Sequence, residues 1–417
     1  MKQTCFIIFC SLLLLACKAK KEITADLSSM QNEPTLSIED QLAQKYIIID
    51  GHVDLPYRLR VMNFRLEKEF LEIPIQSEKG DFDFVRSKEG GLDAPFMSIY
   101  IPASYQKDPG RSKSVADSLI NMVEAICDKN PKYFEIAYTP EDVKRIAKDE
   151  KVALPMGMEN GSGIEDDLSN IKYFSDRGIN YITLTHSKDN LICDSSYDTT
   201  RTWNGLSPFG YQVIEEMNKQ GVMVDISHVS DSTFYQAIEY SKAPVIASHS
   251  SCRKFTPDFE RNMNDDMIRL LGEKDGVIMI NFGSTFIDQE VKDQRWQLGL
   301  DMNKHLESLG MTRDSEGAKE VMEKYMEESV LSFSDVKVVA DHIDHVVKLA
   351  GVEHVGFGSD YDGVGDSLPT GLKDVSDYPN LIAELLNRGY QHEDIEKICS
   401  GNLLRVWQQV EAYANRN

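Results

Sequence analysis

The stretch Tyr46-Ile-Ile-Ile-Asp-Gly-His-Val-Asp-Leu55 decides how the rest of the chain is interpreted. Its run of β-branched residues, Ile47 to Ile49, is typical of a strand buried in a parallel sheet. His52 and Asp54 follow the strand end, and because they are two residues apart on extended chain, their side chains point the same way. An imidazole and a carboxylate are good ligands for zinc. Taken alone, a His-X-Asp motif is a weak signal that also fits an ordinary surface pair.

Apolar runs of this kind recur along the chain and alternate with segments of helical spacing. The eight predicted strands begin at Ile47, Phe96, Val152, Tyr181, Val222, Val245, Val277 and Val355. This alternation favours the α/β class and a (β/α)8 TIM-type barrel. An open doubly wound sheet is the alternative, but it favours a Gly-rich dinucleotide turn after an early strand, and the sequence has none. The charged segment 285–335 breaks the rhythm, and we predict a helical insertion after strand 7 that covers one mouth of the barrel.

The composition is that of an ordinary globular chain. Of its 417 residues, 41% are hydrophobic and 27% are charged, which is ample for one large domain or two ordinary ones. The formal net charge is −23. Because affinity for phosphates needs clustered Lys and Arg, we expect no nucleic-acid partner.

The first residues are typical of an export signal. Met1-Lys2 precedes a short apolar run, Cys5 to Ala16, which is too short to span a bilayer as a helix. Leu14-Leu15-Ala16-Cys17 resembles the lipobox of bacterial lipoproteins, although an ordinary signal peptide cut nearby is the alternative. The lipobox implies a signal peptide over 1–16, a lipid on Cys17, and a membrane anchor in the periplasm or at the cell surface. We predict a flexible tether over 17–40 and a single domain over 41–417.

Four cysteines lie outside the signal region. They are Cys127, Cys193, Cys252 and Cys399. An exported protein can form disulfides, but four cysteines allow three pairings and their spacing favours none. The sequence has no Cys-X-X-Cys, which argues against a thiolate zinc site.

Side chains that can bind metal follow several of the predicted strands, at the end where the active site of a β/α barrel lies. They are His52, Asp54, Glu159, His186, His228, His249 and Asp360. Seven groups exceed the needs of one tetrahedral zinc, and they favour two metals that share a carboxylate, Glu159, and a bridging hydroxide. His342 and His345 lie on a predicted helix beside Asp341 and Asp344, and we interpret them as part of a salt-bridged helix face.

The chain resembles the membrane (renal-type) dipeptidases, peptidase family M19 of the metal-dependent amidohydrolase superfamily. The matching stretches are DGHVDLP, GMENG, YITLTHS, GLSPFG, VDISHVS, APVIASHSS, ERNMNDD, GFGSDYDGV and GNLLRV, and they extend from Asp50 to Val406. The resemblance implies a zinc-dependent metallo-dipeptidase with two Zn²⁺ ions per chain, dipeptide substrates and a homodimer.

The resemblance also implies a role for each site residue. The implied metal ligands are His52 and Asp54 for one zinc, His228 and His249 for the other, and Glu159 as the bridge. His186 would stabilise the oxyanion above the scissile carbonyl. Arg261 would form a bidentate pair with the C-terminal carboxylate of a dipeptide. Asp360 would take a proton from the bridging water and pass it to the leaving amine.

Two departures from the family limit these implications. Positions that are aromatic in the mammalian relatives correspond here to Tyr57 and Gly283, so we expect a wider pocket and carry over no side-chain preference. The charged insertion after Phe286 is longer than expected, and we predict that it re-forms one wall.

Two rival functions stay open at this point. An amidohydrolase acting on another small amide, a lactone or a phosphoester often bridges its metals with a carboxylated lysine, and Lys188 is the lysine nearest a strand end. A non-catalytic lipoprotein that binds peptides or metal would be expected to have lost part of the constellation. All seven strand-end groups and Arg261 are present, which argues against the second rival.

Overall fold

The computed structural model describes residues 36–61 and 75–416, and its centre is a closed barrel of eight parallel strands. In chain order the strands are β1 (Ile48–Val53), β2 (Leu92–Tyr100), β3 (Phe134–Ile136), β4 (Val152–Leu154), β5 (Met156–Glu159), β6 (Ile179–Thr183), β7 (Met223–Asp225), β8 (Ile246–Ser250), β9 (Val277–Ile280) and β10 (Val355–Phe357). The barrel strands follow chain order around the circle, and β10 closes it by pairing with β1. The predicted (β/α)8 TIM-type barrel is confirmed.

Helices surround the barrel and connect its strands. They are α1 (Ile38–Lys45), α2 (Leu55–Val61), α3 (Phe84–Gly90), α4 (Arg111–Lys129), α5 (Pro140–Lys148), α6 (Ser169–Asp176), α7 (Pro208–Gln220), α8 (Asp231–Tyr240), α9 (Asp265–Glu273), α10 (Ser284–Ile287), α11 (Gln289–Ser308), α12 (Ala318–Glu327), α13 (Val336–Ala350), α14 (Tyr378–Asn387), α15 (His392–Glu396) and α16 (Asn402–Ala414). Short 3-10 turns cover Ala103–Lys107, Gly161–Ile164, Arg253–Phe255 and Val352–His354, and a π turn, Lys397–Gly401, joins α15 to α16.

The barrel interior and the layer between barrel and helices form two separate apolar clusters. Neighbouring residues of β1 show the alternation, since Ile48 belongs to the outer cluster and Ile49 to the inner one. The inner cluster continues through Phe96 to Trp407 of α16, whose rings are 5.4 Å apart. Interior space is tight, because a Cβ on Gly51 would lie 2.4 Å from the carbonyl oxygen of Ser248.

One predicted strand was wrong in its extent. A single strand beginning at Val152 was expected, but the run divides at Pro155, so that β4 pairs with β3 outside the barrel and β5 enters the barrel. Proline has no N–H for a strand ladder, which accounts for the break. Its carbonyl oxygen still accepts from the Met97 N–H at 2.8 Å and starts the pairing of β5 with β2. The short strand β3 was not predicted.

The charged insertion after the seventh barrel strand, β9, is helical as predicted and consists mainly of α11 and α12. At the other end of the chain, α1 begins at Ile38, capped by the Ser37 side chain, inside the predicted tether. The predicted signal peptide 1–16, Cys17 and most of the tether lie outside the described residues.

Two further findings concern export and disulfides. Within 36–61 and 75–416, no helix combines the length and the apolar composition needed to cross a membrane. Cys127, Cys193, Cys252 and Cys399 all carry free thiols in this part of the chain, and the last three are buried.

Candidate metal centre

The seven predicted strand-end groups meet at the carboxyl end of the barrel. His52, Glu159 and His249 lie within β1, β5 and β8, and the other four follow their strands by one to three residues. Three sets of potential ligand atoms each lie within 4.8 Å of one another. The sets are His52, Glu159 and His249; Glu159, His186 and His228; and His52, Asp54 and Asp360.

Glu159 lies between the imidazoles from different strands. Its Oε1 is 3.1 Å from His228 Nε2 and 3.2 Å from His249 Nε2, and its Oε2 is 3.5 Å from His52 Nε2. The carboxylate is buried, with 3% of the residue exposed. One oxygen of a single carboxylate therefore faces His228 and His249 and the other faces His52, which is the arrangement that a bridging ligand requires.

The candidate ligand atoms are arranged to bind a divalent cation and not to hydrogen-bond with one another. Burial, followed by the charge of Arg261, holds the pKa of His228 well below its ordinary value. Burial does the same for His249, so both rings are neutral, which is the form that binds metal. Their Nε2 atoms nevertheless face each other at 2.9 Å. His52 Nε2 and Asp54 Oδ1 are also buried, 3.7 Å apart and without hydrogen bonds in the described part of the chain.

Buried polar groups that the sequence did not single out fix the orientation of the imidazoles. The Ser248 hydroxyl donates to Asp225 Oδ2 at 2.6 Å and lies 2.8 Å from His249 Nδ1. Because its proton is committed to Asp225, the hydroxyl accepts from Nδ1–H, and the lone pair of His249 remains on Nε2. Tyr181 plays the same part for His52. The available signal was an Asp shortly before a candidate ligand histidine, Asp50 in β1 and Asp225 at the end of β7, and both are buried.

Asp360 lies beside the first ligand pair and has an unusual backbone. Its φ is +64°, a left-handed conformation that is uncommon for residues other than glycine. The side-chain amide of Asn281 donates to its Oδ2 at 2.8 Å. Burial, reinforced by the charges of Asp54 and Glu159 and opposed by that of His52, raises the pKa of Asp360 to about 8. A Cβ on Gly363 would lie 2.2 Å from Asp360 Oδ1 and 2.3 Å from Asp54 Oδ2, so only glycine fits there.

A cavity of about 730 Å³ opens onto these groups. Glu159, His186, His228, Asp54 and Asp360 form its floor, and four aromatic side chains form much of its wall: Tyr57, Tyr100, Tyr197 and Phe286. Gly283 lies behind this wall, where a Cβ would meet Phe286 at 2.9 Å. An aromatic ring thus reaches the pocket from Phe286 of α10, three residues after Gly283, at the start of the insertion. A second cavity, of about 1040 Å³, adjoins the first at Tyr100 and Ser187.

Arg261 lies just behind the pocket and is buried, with 3% of the residue exposed. Its guanidinium donates to Ser250 Oγ and to the carbonyl oxygen of His249, each at 2.7 Å. The nitrogen that donates to the His249 carbonyl oxygen, Nη2, is also 3.0 Å from His228 Nε2. The structure thus places a buried cation beside the candidate ligands.

Lys188, the candidate for a carboxylated lysine, points away from this centre. Its side chain is 62% exposed, and the ammonium group lies 3.6 Å from Asp198 Oδ2. Because the Lys188 side chain is exposed and paired with Asp198, the geometry argues against Lys188 as a bridging residue.

The second histidine pair has a structural environment. His342 is fully buried, accepts from the Cys252 N–H through Nδ1 and donates to the Ile287 carbonyl oxygen. His345 pairs with Asp265 at 2.8 Å. Both Asp341 and Asp344 form ion pairs with Arg388. The salt-bridged helix face is confirmed for the two aspartates, whereas His342 is a core residue.

Comparison with known proteins gave consistent matches over the barrel. Residues 37–417 match the family described as membrane dipeptidase (peptidase family M19). Dipeptidase 3 of Mus musculus is 31% identical over 376 residues, which cover 89% of this chain and 66% of that protein. An uncharacterized dipeptidase of Schizosaccharomyces pombe is also 31% identical over 376 residues, with 87% and 81% covered. The solved structure of the probable dipeptidase PvdM from Pseudomonas aeruginosa has a TM-score of 0.74 at 25% identity, covering 90% of this chain and 98% of that one.

Proposed function

The chain belongs to the membrane dipeptidase family, peptidase family M19, a family of metallo-dipeptidases, and on this premise we propose that it hydrolyses dipeptides with two bound Zn²⁺ ions. The observation that carries the proposal is the position of Glu159, whose two oxygens face imidazoles from three different strands. His52 and Asp54 would hold one ion, His228 and His249 the other, and Glu159 both. When bound, such ions polarise a carbonyl and lower the pKa of a shared water.

Two residues of the pocket floor handle charge and protons in this proposal. His186 lies 3.6 Å from Glu159 through Nε2, and its side chain is 20% exposed to the pocket, so its ring can donate to the oxyanion. Asp360 would take the proton of the attacking water and deliver it to the leaving amine. Asn281 occupies one of its carboxylate oxygens, which leaves the other free for this transfer.

Arg261 would bind the C-terminal carboxylate of the dipeptide. Its contact with His228 Nε2 cannot persist when that lone pair is used for a metal ion. One guanidinium N–H then loses its acceptor in a buried place, where an unsatisfied charged donor is costly. A carboxylate is the acceptor that best fits a planar guanidinium. A cavity of about 730 Å³ suits a ligand of dipeptide size.

The experiment that tests this function combines metal analysis with a matched substrate panel. Purified protein is expected to contain two zinc ions per chain and to cleave dipeptides but not the matched tripeptides. Chelation should abolish cleavage, and added Zn²⁺ should restore it. Hydrolysis of a small lactone or phosphoester in place of dipeptides would support the amidohydrolase rival, and peptide binding without turnover would support the binding-protein rival.

We also propose that the mature chain is an exported lipoprotein, anchored through a lipid on Cys17 and joined to its domain by a tether that ends before the Ser37 cap of α1. The lipobox at Leu14–Cys17 supports this proposal. In a bacterial host, the protein should incorporate a labelled fatty acid and fractionate with membranes, and Cys17→Ser should abolish both. The family resemblance supports a homodimer, which sedimentation of the protein without residues 1–35 would test.

A further inference from the structure

One arginine outside the pocket, Arg253, holds the backbone on both sides of Arg261. Its Nε donates to the carbonyl oxygen of Asn262 at 2.8 Å, and its Nη2 donates to that of Glu260 at 3.2 Å. These are the two residues that flank Arg261. A single planar guanidinium therefore sets the direction in which the Arg261 side chain leaves the chain.

The same guanidinium is also bound to the start of α8, close in sequence to the candidate ligand His228. Nη1 and Nη2 of Arg253 form a bidentate pair with Asp231, at 2.8 and 2.6 Å. Asp231 is the first residue of α8 and lies three residues after His228. The Arg253 side chain is 18% exposed and that of Asp231 is 35% exposed, so the pair is partly shielded from solvent.

Glu260 closes a second connection between the same loops. Its Oε1 accepts from the Asp231 N–H at 2.9 Å, and its Oε2 pairs with Arg201. Arg201 in turn donates to the carbonyl oxygen of Ser195, two residues before the pocket residue Tyr197. The loops after β6, β7 and β8 are thus tied into one unit around the Arg261 backbone.

We propose that Arg253 is a positioning residue for substrate binding, which acts by fixing the Arg261 backbone; this inference rests on the proposed carboxylate-binding role of Arg261. Lysine can replace it only in part, because four donor contacts in a fixed planar arrangement require a guanidinium. Substrate affinity, and not the chemical step, is the property that depends on it.

The test measures KM and kcat for a dipeptide, together with the inhibition constant of the C-terminal amide of the same dipeptide, in zinc-loaded enzyme. Arg253→Met should raise KM about tenfold with kcat nearly unchanged, because a charged hydrogen-bond network is lost outside the reacting groups. The amide lacks the carboxylate, so its inhibition constant should stay the same. Arg253→Lys should have an intermediate effect. A KM equal to that of the wild type, or an equal loss for dipeptide and amide, would overturn the inference.

Two controls separate positioning from general stability and from failure of the proposed function. Arg177 is matched to Arg253, since it is 19% exposed and pairs with Asp117 and Glu124, and Arg177→Met should leave KM unchanged. Arg261→Lys should raise KM for the dipeptide but leave the affinity for the amide unchanged. If Arg261→Lys has this effect and Arg253→Met does not, only the inference fails; if neither has it, the carboxylate role of Arg261 fails as well. If Arg253→Met does not fold, Asp231→Asn gives the same decision, with a smaller rise in KM expected.

Discussion

The phenol of Tyr181 lies 2.8 Å from Nδ1 of His52, across the interior of the barrel from β6 to β1. Its own proton is donated to the carbonyl oxygen of Gly51 at 3.0 Å, so the phenol accepts from Nδ1–H, and in the neutral, metal-binding form of His52 the lone pair is held on Nε2. Gly157 makes this contact possible, because a Cβ there would lie 1.9 Å from the Tyr181 ring. Gly157 on β5 thus makes room for the tyrosine that fixes the tautomer of His52 on β1.

Tyr181→Phe should weaken metal binding while the fold is retained. The ring still packs on Phe96, but His52 Nδ1–H loses its acceptor, and losses of this kind cost about 10- to 100-fold in metal affinity. Competition with a chromophoric chelator measures the affinity directly. Tyr173→Phe is the control, since that phenol bonds Asp117 on the surface, and it should bind metal as the wild type does.

Glu159→Gln should remove metal from both positions at once. An amide has a single, neutral oxygen and cannot supply an anionic oxygen to each metal ion, so the repulsion between the two cations is not offset. Zinc per chain after dialysis should fall from two to below one, and dipeptidase activity should be lost. Lys188→Ala, which changes an exposed lysine, should keep both ions. Loss of both ions in the lysine variant would instead favour a lysine-bridged amidohydrolase.

Asp360→Asn should separate metal binding from catalysis. If Asp360 moves a proton, two zinc ions remain bound and kcat falls about 100- to 10,000-fold, the range of general acid–base catalysis. The geometry also groups Asp360 with His52 and Asp54, so a ligand role makes a different prediction. Zinc falling to one per chain in this variant would contradict the proton-transfer role.

Glu411 predicts a pH dependence of stability far from the metal centre. Burial, with the nearby charges of Glu141 and Asp142, raises its pKa from 4.5 to about 7 in the folded chain. A raised carboxyl pKa means that the folded state holds a proton which the unfolded chain releases, so stability is lost as the pH rises from 4.5 to 7. Because the side chain is half-buried, we discount the effect to about 1 kcal/mol.

The measurement is thermal melting of Glu411→Gln and the wild type in metal-free buffer. The variant should melt about 1 to 2 °C higher at pH 8.5 and at the same temperature at pH 4.5. Glu396→Gln, at an exposed position of α15, should match the wild type at both values. A difference for Glu411→Gln that does not change with pH would refute this account.

The fold and the positions of the seven site groups could be predicted because both depend on local pattern. Apolar runs such as Ile47 to Ile49 identify strands, and a parallel barrel brings every strand end to one rim. The break at Pro155 was missed because the run on both sides of it is apolar. The hydrogen bonds that orient the candidate ligands could not be predicted, because each joins residues distant in sequence. Tyr181 and His52, for example, are 129 positions apart. The interpretation of Arg253 likewise depends on hydrogen bonds to backbone atoms, which leave no pattern in the sequence.

The circle of strands is completed between Asp50 of β1 and Phe357 of β10, the earliest and the latest strands to leave the ribosome. This seam brings His52 together with Asp360, whose N–H donates to the His52 carbonyl oxygen at 3.1 Å. A nascent chain that ends before residue 355 has most of the candidate metal ligands but lacks β10, the seam and Asp360. Closure of the barrel, and with it the contact between His52 and Asp360, therefore requires translation to near the C-terminus.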